Sequence, residues 1–148
     1  MTEIKCPSGI LQNKEFLFPV RVYYEDTDAG GIVYYANYLK FAERARSEFL
    51  RYLNINQEKL LKEQGTGFVV RSCNIEYLSS AVLNDDLTVS CLLKELGGAS
   101  LTVEQKICRG DDILAKIEVK LINLNINKHR PTRISDEIKE KISVFCKD

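Results

Sequence analysis

The chain carries no surplus charge of either sign. Its 21 Lys and Arg balance 21 Asp and Glu, so it lacks the basic excess of a dedicated nucleic-acid binder. The same neutrality leaves little repulsion between copies and is compatible with self-association. Histidine is almost absent: His129 stands alone. The five cysteines, Cys6, Cys73, Cys91, Cys108 and Cys146, are odd in number and widely spaced. They offer neither a disulfide framework nor the paired spacing of a zinc site. No window approaches the ~20 apolar residues of a membrane span. The opening Met1-Thr2-Glu3-Ile4-Lys5 lacks the basic start and apolar run of a signal peptide. A cytoplasmic protein with reduced thiols is the expectation, with no integral membrane segment and no nucleic-acid partner. Cys73, Cys91 and Cys108 lie in strand-like runs and read as buried thiols, since a free cysteine behaves as a small hydrophobe. Internal repeats and low-complexity segments are also missing.

What is present suits one globular domain over residues 1–148, with 45% hydrophobic and 28% charged residues. A chain of this size buries enough surface to fold without a metal or disulfide. Residues 1–14 read as a poorly ordered lead-in, and Phe16 to Asp26 as a strand with an edge or bulge at Pro19. A helix is predicted from Asn37 to Leu53, because Tyr38, Phe41, Ala42, Ala45, Phe49 and Tyr52 recur at helical spacing. Asn37 is its expected N-cap. Its polar face carries Lys40, Glu43, Arg44, Ser47, Glu48 and Arg51, with Arg44 and Glu48 spaced for an i,i+4 pair. A shorter helix from Gln57 to Glu63 is ended by Gly65 and Gly67.

Beyond Gly67 the period changes to two. Residues 68–77, 86–96, 100–109 and 113–123 are successive strands, joined by turn signals at Asn84-Asp85-Asp86, Gly97-Gly98 and Gly110-Asp111-Asp112. Such connections imply an antiparallel sheet. A terminal helix is expected over about 135–146, which leaves a core of about 15–134. The fold class is therefore α+β, with one long helix covering the inner face of a sheet. One helix leaves the rest of that sheet poorly covered, and a second subunit is the natural cover. A homo-oligomer, at least a dimer, is expected.

The richest chemistry lies between the first strand and the long helix, in Tyr23-Tyr24-Glu25-Asp26-Thr27-Asp28-Ala29-Gly30-Gly31-Ile32-Val33-Tyr34-Tyr35-Ala36-Asn37-Tyr38. Carboxylates, a glycine turn and a helix N-terminus fall within a few residues. From the residues alone Asp26 and Asp28 are equally eligible as a reactive acid, and both also suit a turn. Unpaired backbone N–H groups at the helix start would supply oxyanion donors.

This segment, followed by Phe41 and Glu43-Arg44-Ala45-Arg46, resembles the signature of hotdog-fold acyl-CoA thioesterases. It is most similar to the 4-hydroxybenzoyl-CoA thioesterase family and, within it, to the Tol-Pal-associated YbgC-like group. Arg130-Pro131-Thr132-Arg133-Ile134 matches a tail motif of that group, and the resemblance covers roughly residues 17–135. It implies the hotdog fold, an antiparallel sheet wrapped around one long central helix, and hydrolysis of an acyl-CoA thioester without cofactor or metal. By position Asp28 matches the family's catalytic aspartate, as nucleophile or as general base toward water. The resemblance places the Tyr35 backbone amide near the thioester oxygen. Gly30, Gly31, Val33, Tyr34 and Tyr38 are the residues expected to shape or contact the substrate.

One departure is instructive. Many YbgC-like proteins carry histidine where this chain has Tyr35, so a mechanism relying on that histidine is excluded here. Glu43 is the rival carboxylate and reads as an ion-pair partner. Lys128, His129, Arg130 and Arg133 form a basic cluster, either a solvated patch or a contact for coenzyme A phosphates. The competing function is a protein that binds an acyl carrier protein or a partner enzyme with little turnover. Dehydratase chemistry is disfavoured by the single, distant histidine. A homodimer, extended to a tetramer, is the expected assembly.

Overall fold

The computed structural model describes residues 1–146. Seven strands, β1 (Ile10–Gln12), β2 (Glu15–Arg21), β3 (Thr66–Tyr77), β4 (Asp86–Leu96), β5 (Ser100–Arg109), β6 (Asp112–Asn125) and β7 (Arg130–Pro131), form one antiparallel sheet. Its order is β1-β2-β4-β5-β6-β3, with β7 paired to the far end of β6. Three helices join it: α1 (Asn37–Tyr52), α2 (Gln57–Gln64) and α3 (Asp136–Ser143).

Alternation fixes which face turns inward. Leu87, Val89, Cys91 and Leu93 of β4, Leu101, Val103 and Ile107 of β5, and Ile117, Val119 and Leu121 of β6 are all buried. They meet the apolar stripe of α1, where Tyr38, Phe41, Ala42, Ala45 and Phe49 are buried. Register shifts at Val70/Ser72, Leu93/Glu95 and Ile107/Cys108 bend the strands and let the sheet curl around the helix. This is the hotdog arrangement expected from the sequence.

A single polar residue stitches helix to sheet. Gln105, buried on β5, donates from Nε2 to the Ala42 carbonyl at 3.0 Å and to Cys91 Sγ at 3.2 Å. Its Oε1 accepts from Arg46 Nη1 at 2.9 Å. A buried amide is tolerated because its groups find partners, and the small side chain of Ala42 permits the close approach.

Several expectations need correction. The first strand stops at Arg21, and Tyr24–Asp26 form a 3-10 turn instead of continuing it. Part of the lead-in is ordered, since Ile10–Gln12 pair with β2. Asn37 is the first helical residue, not the cap; the cap position is Ala36, which makes no side-chain bond. The expected Arg44–Glu48 pair is replaced by i,i+3 pairs, Arg51 with Glu48 and Arg46 with Glu43. Gly65 ends α2 in the left-handed conformation, whereas Gly67 lies within β3. Of the three strand cysteines only Cys91 is buried, its thiol pushed up to about 12 by burial. Cys108 is half-buried and Cys73 exposed, because β3 is left uncovered by α1.

Phe16 is fully buried and packs on Phe49 with ring centroids 5.3 Å apart. It joins the start of the sheet to the C-terminal half of α1. Phe16→Ala is expected to destabilise the fold by about 3–5 kcal/mol, read as a lowered midpoint in urea unfolding.

Candidate functional site

The site is the loop from Thr27 to Ala36, and a short ladder of bonds fixes its shape. Asp26 is nearly buried, at 8% exposure, and works as its staple. One carboxylate oxygen accepts the Tyr23 N–H at 2.8 Å. Its backbone carbonyl accepts both the Tyr34 N–H and the Asn37 Nδ2–H, each at 2.9 Å. The Asn37 side chain, expected to cap the helix, therefore ties the helix start to the end of the 3-10 turn. Across the loop, Thr27 bridges Val33 and Ile32 bridges Val82.

Within this frame Asp28 sits in a tight turn. Its N–H donates to the Ile32 carbonyl at 2.9 Å and its carbonyl accepts from Gly31 N–H at 3.0 Å. Gly31 has φ +81°, a region that disfavours side chains. Asp28 Oδ1 accepts the Gly30 N–H at 2.9 Å, and a Cβ on Gly30 would lie 3.2 Å from that oxygen. The Asp28 side chain is exposed. With Oδ1 fixed, Oδ2 meets no donor among the described residues and is free to face a ligand.

Seven residues on, the chain turns into α1. Asn37 N–H closes on the Tyr34 carbonyl at 2.8 Å, so Tyr35 and Ala36 occupy the middle of a turn. The Tyr35 N–H has no acceptor among the described residues. α1 has no side-chain N-cap and no acidic residue in its first turn, so none of its own side chains offsets the positive end of the helix dipole. The loop thus combines an open carboxylate oxygen with an unpaired amide at a helix start.

The other sequence candidates divide by burial. Gly30, Gly31 and Tyr34 are exposed on the loop. Val33 and Tyr38 are buried and brace it from below. Both meet Ala81: the Val33 N–H donates to its carbonyl at 2.9 Å, and Tyr38 Oη accepts its N–H at 2.9 Å. Glu43 Oε2 lies 3.6 Å from Arg46 Nη2, in keeping with an ion-pair role. In the basic cluster Arg133 reaches Asp136 Oδ1 at 3.4 Å, while Lys128, His129 and Arg130 are exposed.

Sequence reasoning missed Tyr77. It closes β3, opposite Ala115, and its Oη donates to the Tyr35 carbonyl at 2.9 Å. Its ring stands edge-on to Tyr38 at 5.5 Å and to Tyr35 at 6.2 Å. No local motif marks it, because it lies 42 residues from Tyr35 along the chain. The available signal was register: Tyr77 shares the inward face of β3 with Ile75.

The sheet curled on a central helix, with the candidate loop at the helix entrance, defines a hotdog-fold protein of the thioesterase class. The chain belongs to the thioesterase-like superfamily, whose family model matches residues 22–142. It is 48% identical over 124 residues to the acyl-CoA thioesterase YbgC of Haemophilus influenzae, covering 84% of this chain and 91% of that one. It is 40% identical over 124 residues to the acyl-CoA thioester hydrolase YbgC of Escherichia coli, covering 83% and 92%. A crystal structure of a probable thioesterase from Bartonella henselae superimposes with TM-score 0.77 at 37% identity, covering 80% of this chain and 98% of that one.

The two aspartates are predicted to separate cleanly. Asp26→Ala leaves the Tyr23 N–H without its acceptor and is expected to cost about 1–3 kcal/mol, measured by urea unfolding. Asp28→Asn keeps an oxygen for Gly30 N–H and is expected to leave the unfolding midpoint nearly unchanged.

Proposed function

We propose that the chain hydrolyses the thioester of acyl-CoA to a free acid and coenzyme A, with Asp28 as the reacting carboxylate and the Tyr35 N–H as oxyanion donor. The observation that carries this reading is the open Asp28 oxygen on the same loop as the unpaired Tyr35 amide. As nucleophile, Asp28 attacks the acyl carbon, the C–S bond breaks, coenzyme A leaves as thiolate, and water then cleaves the acyl-aspartyl anhydride. As general base, it takes a proton from water, whose oxygen adds to the same carbon before thiolate departs. In both routes negative charge develops on the thioester oxygen, where a fixed N–H acts with the helix dipole. Thiolate leaves readily, so neither route needs a strong general acid. Gly30, Gly31 and Tyr34 border the reacting group, with Val33 and Tyr38 as its floor.

The proposed assembly follows from what α1 leaves open. Among the described residues β3 pairs with β6 alone, and its inward residues Val70 and Tyr77 are 49% and 44% exposed. Ile32, Tyr34, Tyr35 and Leu39 add exposed apolar surface around the site. A long open edge beside exposed apolar side chains is a surface that proteins cover. A second copy pairing its own β3 antiparallel to this one would cover both. That pairing sets the Thr66 end of one β3 beside the Tyr77 end of the other. It brings the second copy's basic cluster around Lys128 and Arg130 toward the site, as a contact for the coenzyme A phosphates.

Thiol release measured across a panel of acyl-CoA and acyl-carrier thioesters tests the activity. Asp28→Asn is expected to lower kcat by roughly 10²–10⁴-fold while the fold, followed by circular dichroism, is retained. Wild-type turnover by that variant would remove Asp28 from the mechanism. Stable capture of a carrier protein with no thiol release from any substrate would favour the binding reading. Sedimentation velocity is expected to show at least twice the chain mass, and a monomer at micromolar concentration would refute the β3 pairing.

A further inference from the structure

Tyr35 lies just before the cap residue Ala36, so its carbonyl has no partner within the helix. The Leu39 N–H closes on Ala36, at 3.2 Å. The carbonyl of Tyr35 is bonded by Tyr77 Oη alone among the described residues. The Tyr35 N–H shares its peptide plane with the Tyr34 carbonyl, which the Asn37 N–H holds at 2.8 Å. The plane on the other side of the Tyr35 Cα is tethered by Tyr77, from a distant strand.

We propose that Tyr77 is a positioning residue for the thioesterase reaction: its hydroxyl fixes the Tyr35 carbonyl and, together with the Asn37–Tyr34 bond, locks both peptide planes at Tyr35 so that the Tyr35 N–H points at the developing oxyanion. The inference rests on the reading of Tyr35 as oxyanion donor and extends it to a residue outside the loop. Burial raises the Tyr77 phenol above its ordinary value, so it remains a proton donor through neutral and mildly alkaline pH. The ring is clamped by Tyr35 and Tyr38, and Tyr38 is itself fixed by the Ala81 N–H. The donor therefore stands on a rigid support. Because a small displacement of a catalytic group carries a large kinetic penalty, loss of this one bond is felt at the reacting carbonyl.

Tyr77→Phe removes the hydroxyl and keeps the ring, so the aromatic packing survives. In acyl-CoA hydrolysis its kcat is expected to fall about tenfold or more, a partial loss of one oxyanion donor, with KM within about twofold of wild type, since ground-state binding is untouched. Selective ¹⁵N-tyrosine labelling gives a second readout that needs no turnover, with seven tyrosines to resolve. The Tyr35 amide resonance, assigned from Tyr35→Phe, is expected to shift or broaden in Tyr77→Phe, while those of Tyr23, Tyr24 and Tyr52 stay in place. An unchanged Tyr35 resonance overturns the proposal even if the wild-type protein proves inactive on every thioester. A shifted resonance with unchanged kcat overturns the catalytic consequence. Full activity in Asp28→Asn strikes instead at the underlying assignment of the site.

Discussion

One mismatch of dimensions governs this molecule. A helix with its side chains is about 10–12 Å across, whereas six strands spaced about 4.8 Å apart span roughly 24 Å. A single helix cannot cover such a sheet. The bulges curl the sheet, and α1 then packs on β2, β4 and β5 while α2 contacts β3, leaving much of the inner face of β3 exposed. The exposure of Val70, Cys73 and Tyr77 follows directly. So does the placement of the site, because the N-terminal end of α1 opens beside the same uncovered strand. Tyr77, at the end of β3, reaches the Tyr35 carbonyl across this opening. In the proposed assembly, covering β3 and completing the candidate site are the same structural problem, and one added copy would address both.

In the loop before α1 the restraints and the candidate reactive groups are different atoms. Asp26 uses a carboxylate oxygen and its backbone carbonyl to gather Tyr23, Tyr34 and Asn37. Asp28 spends one oxygen on Gly30 and keeps the other free. Two acids separated by a single residue are thus divided by burial: the enclosed one must have its hydrogen bonds satisfied within the fold, while the exposed one can trade water for substrate. Nothing in the two side chains sets them apart; the 3-10 turn does, by directing Asp26 inward and Asp28 outward.

Much of this was legible in the chain, and the reasons for the rest are physical. Period-two alternation gave β4, β5 and β6 nearly to the residue because each strand has one face on α1 and one turned away. The stripe from Tyr38 to Phe49 located α1 for the same reason. The overrun of the first strand through Asp26 came from a run rich in Val and Tyr, where β propensity was overridden by the local bond between Asp26 and the Tyr23 N–H. Asn37 misled as a cap because its amide found a better acceptor in the preceding turn, a tertiary choice. Cys73 misled because periodicity names the inward face of β3 without saying whether a helix lies over it. Asp28 was singled out by the resemblance rather than by spacing, and Tyr77 by neither, since a bond across 42 residues leaves no local trace.

The scarcity of histidine acquires a structural meaning at this entrance. Four tyrosines, Tyr34, Tyr35, Tyr38 and Tyr77, crowd the helix start, with neighbouring rings 5.0–6.2 Å apart. Two of them have committed their hydroxyls to the backbone: Tyr38 accepts from Ala81 and Tyr77 donates to Tyr35. Position 35 holds a tyrosine and no imidazole. In the proposed reaction, proton transfer falls to the Asp28 carboxylate and water and charge stabilisation to a backbone amide, with the aromatic rings proposed to hold that amide still. The thioester suits such an economy, because its thiolate leaves without being protonated first.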